Sequence, residues 1–212
     1  MRRPEFIARQ SSCPTGLLGR FIVRIMARET AAANEKTLEL LAIRPDNHVL
    51  EIGFGHGRTL MRAATLASSG FVAGIDVSAD MVHTATRWNQ QLIRQGRVEV
   101  RCASSLRIPY PAQSFDRIYA THTLYFWEHP LQHLQEIHRV MKPGARFVLT
   151  FGPREDKEIV AKFPTTVYRF YSTDEVRSLF EEARFSNIHL AHHQIASRSL
   201  VFAIAHQETP ST

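Results

Sequence analysis

Apolar positions along the chain fall into blocks that switch between two periods. Short, largely apolar stretches read as buried strands: His48–Ile52, with Val49, Leu50 and Ile52 apolar, Phe71–Ile75 closing on Asp76, Val98–Cys102, Phe115–Ala120 and Arg146–Phe151. Between them the spacing becomes helical. Leu38, Leu41 and Ala42 mark a helix over Glu35–Ala42, broken by Arg44-Pro45-Asp46-Asn47. Arg58–Ala67 follows the first strand. Met81, Ala85, Trp88 and Leu92 form the next stripe, with Ser78 as its cap, Asp80 in its first turn and Gly96 as its stop. Pro130 opens another helix with the stripe Leu131, Leu134, Ile137 and Met141, ended by Lys142-Pro143-Gly144. Thr173–Ala183 reads as a helix, and Ser186–Ala191 and Ser199–Ala205 as two late strands. Residues 1–34 read as an irregular, partly helical leader. Strands alternating with helices predict an α/β fold, a mostly parallel sheet with helices on both faces.

Composition changes this picture little. The 212 residues are 44% hydrophobic and 22% charged, which suits one ordinary globular domain. No apolar run approaches the roughly 20 residues that span a bilayer. The N-terminal arginines, from Arg2 to Arg28, are interrupted by Glu5 and Glu29, so a targeting peptide is not expected and a cytoplasmic location is. Cys13 and Cys102 lack metal-ligand spacing and read as free thiols; no metal is expected. The formal charge of +6 comes from scattered arginines rather than a run. That favours a solvated basic surface over a nucleic-acid groove.

The chemistry concentrates after the first strand, at Glu51-Ile52-Gly53-Phe54-Gly55-His56-Gly57. In open α/β sheets ligands bind beyond the carboxyl ends of the strands, and glycines let a ligand approach the backbone. A plain tight turn is the other reading. The dinucleotide fingerprint GxGxxG is absent, with Arg58 where its third glycine would stand. Glu51 suits an ammonium better than a pyrophosphate, whose charge it repels. Asp76, at the end of the second strand, can accept both hydroxyls of a ribose; a helix-capping aspartate is the alternative.

Four segments together resemble the class I S-adenosylmethionine-dependent methyltransferases. They are Val49–Gly57, Gly74–Ser78, Ser114–Tyr119 and Glu136–Leu149, in that order and at similar intervals. The likeness is to the small-molecule branch called type 11 or UbiE-like, and covers residues 35 to 152. It implies a Rossmann-like seven-stranded sheet with an antiparallel last strand, residues 35–152 as cofactor-binding core, and 153–212 as insert and C-terminal hairpin. It also implies S-adenosylmethionine as cofactor. Glu51, Gly53, Phe54, Gly55 and Gly57 would meet its methionine part. Asp76 would take its ribose, with Val77 beside it and Met81 near the adenine, and Thr121 would stand at the end of the fourth strand. One departure concerns the position after the third strand. The family usually places an acid there, and this chain has Ser104 followed by Ser105, which can offer only neutral bonds to adenine.

After the fourth strand comes Thr121-His122-Thr123-Leu124-Tyr125-Phe126-Trp127. The Pro-Pro-Tyr of methyltransferases acting on amides and base amines is missing, as is a Pro-Cys nucleophile, which argues against DNA methylation. His122 is the candidate general base, since an imidazole titrates near pH 6.5; bonding a backbone group is its other reading. Tyr125, Phe126 and Trp127 are core or pocket wall. The leader and the 153–171 insert, with Phe163, Tyr168, Phe170 and Tyr171, are expected to close over a small-molecule acceptor. An RNA or protein methyltransferase, or a binding module without activity, are the alternatives.

Overall fold

The computed structural model describes residues 2–195 and 198–208, with backbone alone at 17, 18, 20, 21, 23, 24, 26 and 27. Two helices come first, α1 (Glu5–Ser12) and α2 (Gly16–Leu41). The alternating body follows: β1 (His48–Ile52), α3 (Arg58–Leu66), β2 (Phe71–Asp76), α4 (Ala79–Trp88), α5 (Gln90–Arg94), β3 (Val98–Cys102) and β4 (Phe115–Thr121). It continues with α6 (Pro130–Val140), β5 (Met141–Phe151), α7 (Lys157–Lys162), α8 (Thr173–Glu182), β6 (Ser186–Ile195) and β7 (Arg198–His206).

The seven strands form one sheet in the order β3-β2-β1-β4-β5-β7-β6. β1 to β5 pair in parallel, and β7 runs antiparallel to both its neighbours. Period-2 alternation sends Leu50, Ile52, Ile118 and Ala120 into one core cluster and Val49, Val72, Tyr119 and Val148 into the other. β1 and β2 are thus buried on both faces along nearly all their length, whereas the edge strand β3 is only half-buried.

Several boundaries differ from the sequence reading, each for a tertiary reason. No break exists at residue 34: α2 is continuous across it and packs on β4 and β5. Its C-terminal carbonyls are taken by long-range donors, Arg146 Nη1 to Leu40 O at 2.9 Å and Arg117 Nε to Ala42 O at 3.2 Å. Met141, expected on a helix, starts β5 opposite Phe115. The ladder resumes at Arg146 opposite Arg117, so Lys142 to Ala145 form a bulge. Trp88 is 48% exposed rather than in the core. Arg58 lies 4.7 Å over its ring, and the stripe is cut at Asn89, whose side chain donates to Gly57 O at 2.9 Å. Ser78 caps α4 as expected, accepting from Met81 N.

Candidate active site

Strand order reverses between β1 and β4, since β1 continues outward to β2 and β3 while β4 leads the other way. Loops leaving such a point part and leave a crevice. Here a cavity of about 520 Å³ opens above the strand ends. Topology orders its rim: β3 and β2 at one end, β1 and β4 in the middle, β5 and the start of β7 at the other.

The glycine corner forms the middle. Gly53 sits at φ +73°, and a Cβ there would strike the Thr123 methyl, so the corner tolerates no side chain. Phe54 turns inward over Gly74, 3% exposed, and still meets the cavity. Gly57 has another task. Its added Cβ would lie 2.5 Å from Ala85 Cβ, so this glycine brings α3 against α4 and stands off the cavity wall. Met81, 1% exposed, is likewise in the core and off that wall. His56 Nδ1 accepts from Arg58 N at 3.0 Å and caps α3.

Two buried carboxylates face this corner. Glu51, 5% exposed, accepts from the Tyr119 hydroxyl at 2.8 Å. Burial pushes it up to about 8, opposed by the Tyr119 bond and helped by the charge of Asp76. Asp76 accepts from Gly55 N and Ser78 N, both at 2.9 Å. Burial raises it too, and those amides pull it back. Val77 beside it is exposed on the rim.

After β3, Ser104 accepts from Leu106 N at 3.2 Å. The buried Ser105 hydroxyl is paired with His133 Nδ1 at 2.7 Å. Sequence reasoning missed His133, which stacks on Trp127 with centroids 4.8 Å apart. Only its i, i+3 place after Pro130 on α6 hinted that it faces inward. It also missed that Tyr119 bonds Glu51, which a two-residue alternation on neighbouring strands would have allowed.

At β4 the hydroxyls of Thr121 and Thr123 are buried without a partner, and both residues line the cavity. His122 adopts φ +58°, with its N–H on Thr150 O at 2.8 Å. Its Nδ1 lies 3.2 Å from the Tyr125 hydroxyl, which also accepts from Gly152 N. Burial, with Arg198 nearby, lowers His122 to about 4. The expectation of titration near pH 6.5 is therefore corrected: the ring is neutral at pH 7. Tyr125, Phe126 and Trp127 are both packed and on the wall.

Leader and insert close the cavity from above. Arg3 N donates to Lys162 O at 2.7 Å, joining them. The Ser78 hydroxyl donates to Pro14 O, and Gly16 N to Asp80 at 2.6 Å, so the α1–α2 corner also covers the β2 end. The leader thus lines the Asp76 end of the cavity as well as its aromatic end.

Comparison with known proteins agrees with this geometry. Residues 50–149 match the family described as "Methyltransferase domain". The methyltransferase YdaC of Bacillus subtilis is 29% identical over 62% of this chain and 70% of its own length. A 27-O-demethylrifamycin SV methyltransferase of Amycolatopsis mediterranei is 28% identical over 73% of this chain, which spans 59% of that relative. The crystal structure of a SAM-dependent methyltransferase from Aquifex aeolicus superposes with a TM-score of 0.69 at 25% identity, covering 86% of this chain and 96% of the other. These matches, with the seven-stranded sheet, support a class I, type 11 S-adenosylmethionine-dependent methyltransferase with S-adenosylmethionine as its cofactor. Among the described residues no helix is long and apolar enough to cross a membrane, and no cluster of side chains fits a metal.

Proposed function

We propose that the chain transfers the methyl group of S-adenosylmethionine to a small-molecule acceptor by in-line displacement. The carrying observation is the cavity itself. A buried Asp76 lies toward one end, an aromatic wall lies at the other, and the glycine corner and orphaned threonine hydroxyls stand between. Those orphans fit a polar ligand, because a buried hydroxyl without a partner costs about 1–3 kcal/mol that a bound group restores.

In this reading Asp76 keeps free lone pairs for the ribose hydroxyls, and Glu51 takes the ammonium. Gly53 and Gly55 leave room for the methionine part, and Thr121 bonds its polar atoms. Ser104 and Ser105 flank the adenine without a carboxylate. The cofactor supplies an electrophilic methyl carbon on a sulfonium. The protein's task is to hold the acceptor in line with it, and positioning of this kind is worth up to roughly 7–11 kcal/mol. His122, neutral and held by Tyr125, stands where it can accept the acceptor's proton through a ring nitrogen. The relative acting on demethylrifamycin SV supports a small-molecule acceptor.

Incubation with S-adenosylmethionine carrying a labelled methyl group and a cell extract tests this. Label is expected in a small-molecule product. Label confined to RNA or protein would favour the alternative acceptors, and calorimetry without S-adenosylhomocysteine binding would sink the reading.

A further inference from the structure

The methyl-transfer reading leaves unused a charge arrangement at the β7 end of the cavity. β7 runs antiparallel to β5, so its first residue, Arg198, stands at the same sheet edge as the ends of β4 and β5. Arg198 Nη2 donates to Glu29 Oε2 at 3.1 Å, and Arg3 Nη2 lies 3.6 Å from the same oxygen. Arg3 also stands 5.0 Å over the Phe163 ring. All three residues line the cavity, though they come from the start of the chain, the middle of α2 and the start of β7. Two guanidiniums on one carboxylate oxygen leave a charge of +1, with ten N–H donors between them, and Arg3 also bonds the Tyr168 hydroxyl. Planar forks of this kind match a carboxylate.

The neighbouring wall is aromatic, built of rings tilted 46–49° to one another. Tyr125 and Tyr168 have centroids 5.6 Å apart, and Tyr168 and Phe163 4.6 Å. The field of Arg198 reaches His122 and Tyr125, so the charge lies close to the proposed reaction centre.

We propose that the acceptor is an aromatic molecule carrying one carboxylate. Its ring lies against Tyr125, Tyr168 and Phe163, and its carboxylate is taken by Arg198 and Arg3 in competition with Glu29. The residual +1 matches a monoanion, whereas a phosphate dianion would leave the wall overcharged. This rests on the methyl-transfer reading of the same site and adds the substrate class.

Calorimetry on the full chain saturated with S-adenosylhomocysteine tests it, using 2-naphthoate, 2-naphthamide and 2-naphthyl phosphate as probes. The acid is expected to bind at least tenfold more tightly than the amide, and more tightly than the phosphate. Arg198→Gln should remove that preference while amide and cofactor-product binding persist. Glu29→Gln should tighten acid binding, because it frees both guanidiniums. A merely structural ion pair would weaken binding whichever partner is removed. Equal affinity of acid and amide, tighter phosphate binding, losses from both substitutions, or no binding of any probe overturns the proposal. If S-adenosylhomocysteine fails to saturate the protein, the cofactor reading falls first and separately.

Discussion

Glu51 offers the sharpest quantitative test, because burial holds it at about 8 in the free protein. At pH 7 about nine-tenths of the molecules then carry a protonated Glu51. An ammonium bound beside it favours the carboxylate, so cofactor binding must release that proton. Affinity should rise with pH by the ratio of ionised fractions, roughly 20-fold between about pH 6.0 and 7.5. The rise flattens above that range, because an α-amino group loses its own charge near 7.7–8.0. Calorimetry in buffers of different ionisation enthalpy reads the released proton directly, close to one per cofactor bound at pH 7. In Glu51→Gln the amide oxygen still accepts from Tyr119, so the fold is preserved. Proton release and pH dependence should both vanish, with affinity reduced at pH 7.5. Affinity that is flat from pH 6.0 to 7.5 in the parent protein would refute the placement of the ammonium on Glu51.

Asp76→Ala should weaken S-adenosylhomocysteine binding by roughly 10- to 100-fold, the value of a hydrogen bond to a charged group; unchanged affinity in calorimetry removes Asp76 from the ribose. His122→Ala should lower kcat at least tenfold with cofactor affinity intact, since general-base catalysis is typically worth 10²- to 10⁴-fold. At saturating S-adenosylmethionine, the acid limb of kcat/KM for the acceptor should fall near pH 4 rather than 6.5, because burial lowers His122 to about 4; a limb at 6.5 would show that another group titrates. The fold itself should be acid-labile. His56, His122 and His133 are all lowered by burial to about 4. Between 6.5 and 4 the unfolded chain therefore binds more protons, and stability falls as pH falls through that window. Glu51 acts oppositely between 4.5 and 8, losing stability as pH rises, so these four groups together place the peak of Tm at about pH 7. A Tm that holds level from pH 6.5 down to 4.5 would contradict the neutral, buried state of these rings.

The sequence alone determined what depends on local pattern. The largely apolar stretches at Val49–Ile52 and Phe71–Ile75 and the apolar end of Phe115–Ala120 suit strands covered on both faces. The glycine corner follows because positive φ with close backbone approach excludes a Cβ. Ser78 declared a cap, since its hydroxyl sits where free amides begin. Tertiary structure decided the rest. Gly57 looked like part of the ligand turn, and only the approach of Ala85 on α4 shows that it spaces two helices. Trp88 fitted a helical stripe, yet a stripe says nothing of whether anything covers it, and here nothing large does. The leader read as irregular, yet α2 runs unbroken from Gly16 to Leu41, and its C-terminal part, through Ala33, Leu38 and Leu41, packs in one cluster with Tyr119 of β4 and Val148 of β5. Protonation of Glu51 and His122 is set by desolvation and by neighbours such as Tyr119 and Arg198, which no local window contains. The meeting of Arg3, Glu29 and Arg198 is likewise invisible along the chain. It exists because β7 reverses direction and brings its first residue to the rim where the leader lies.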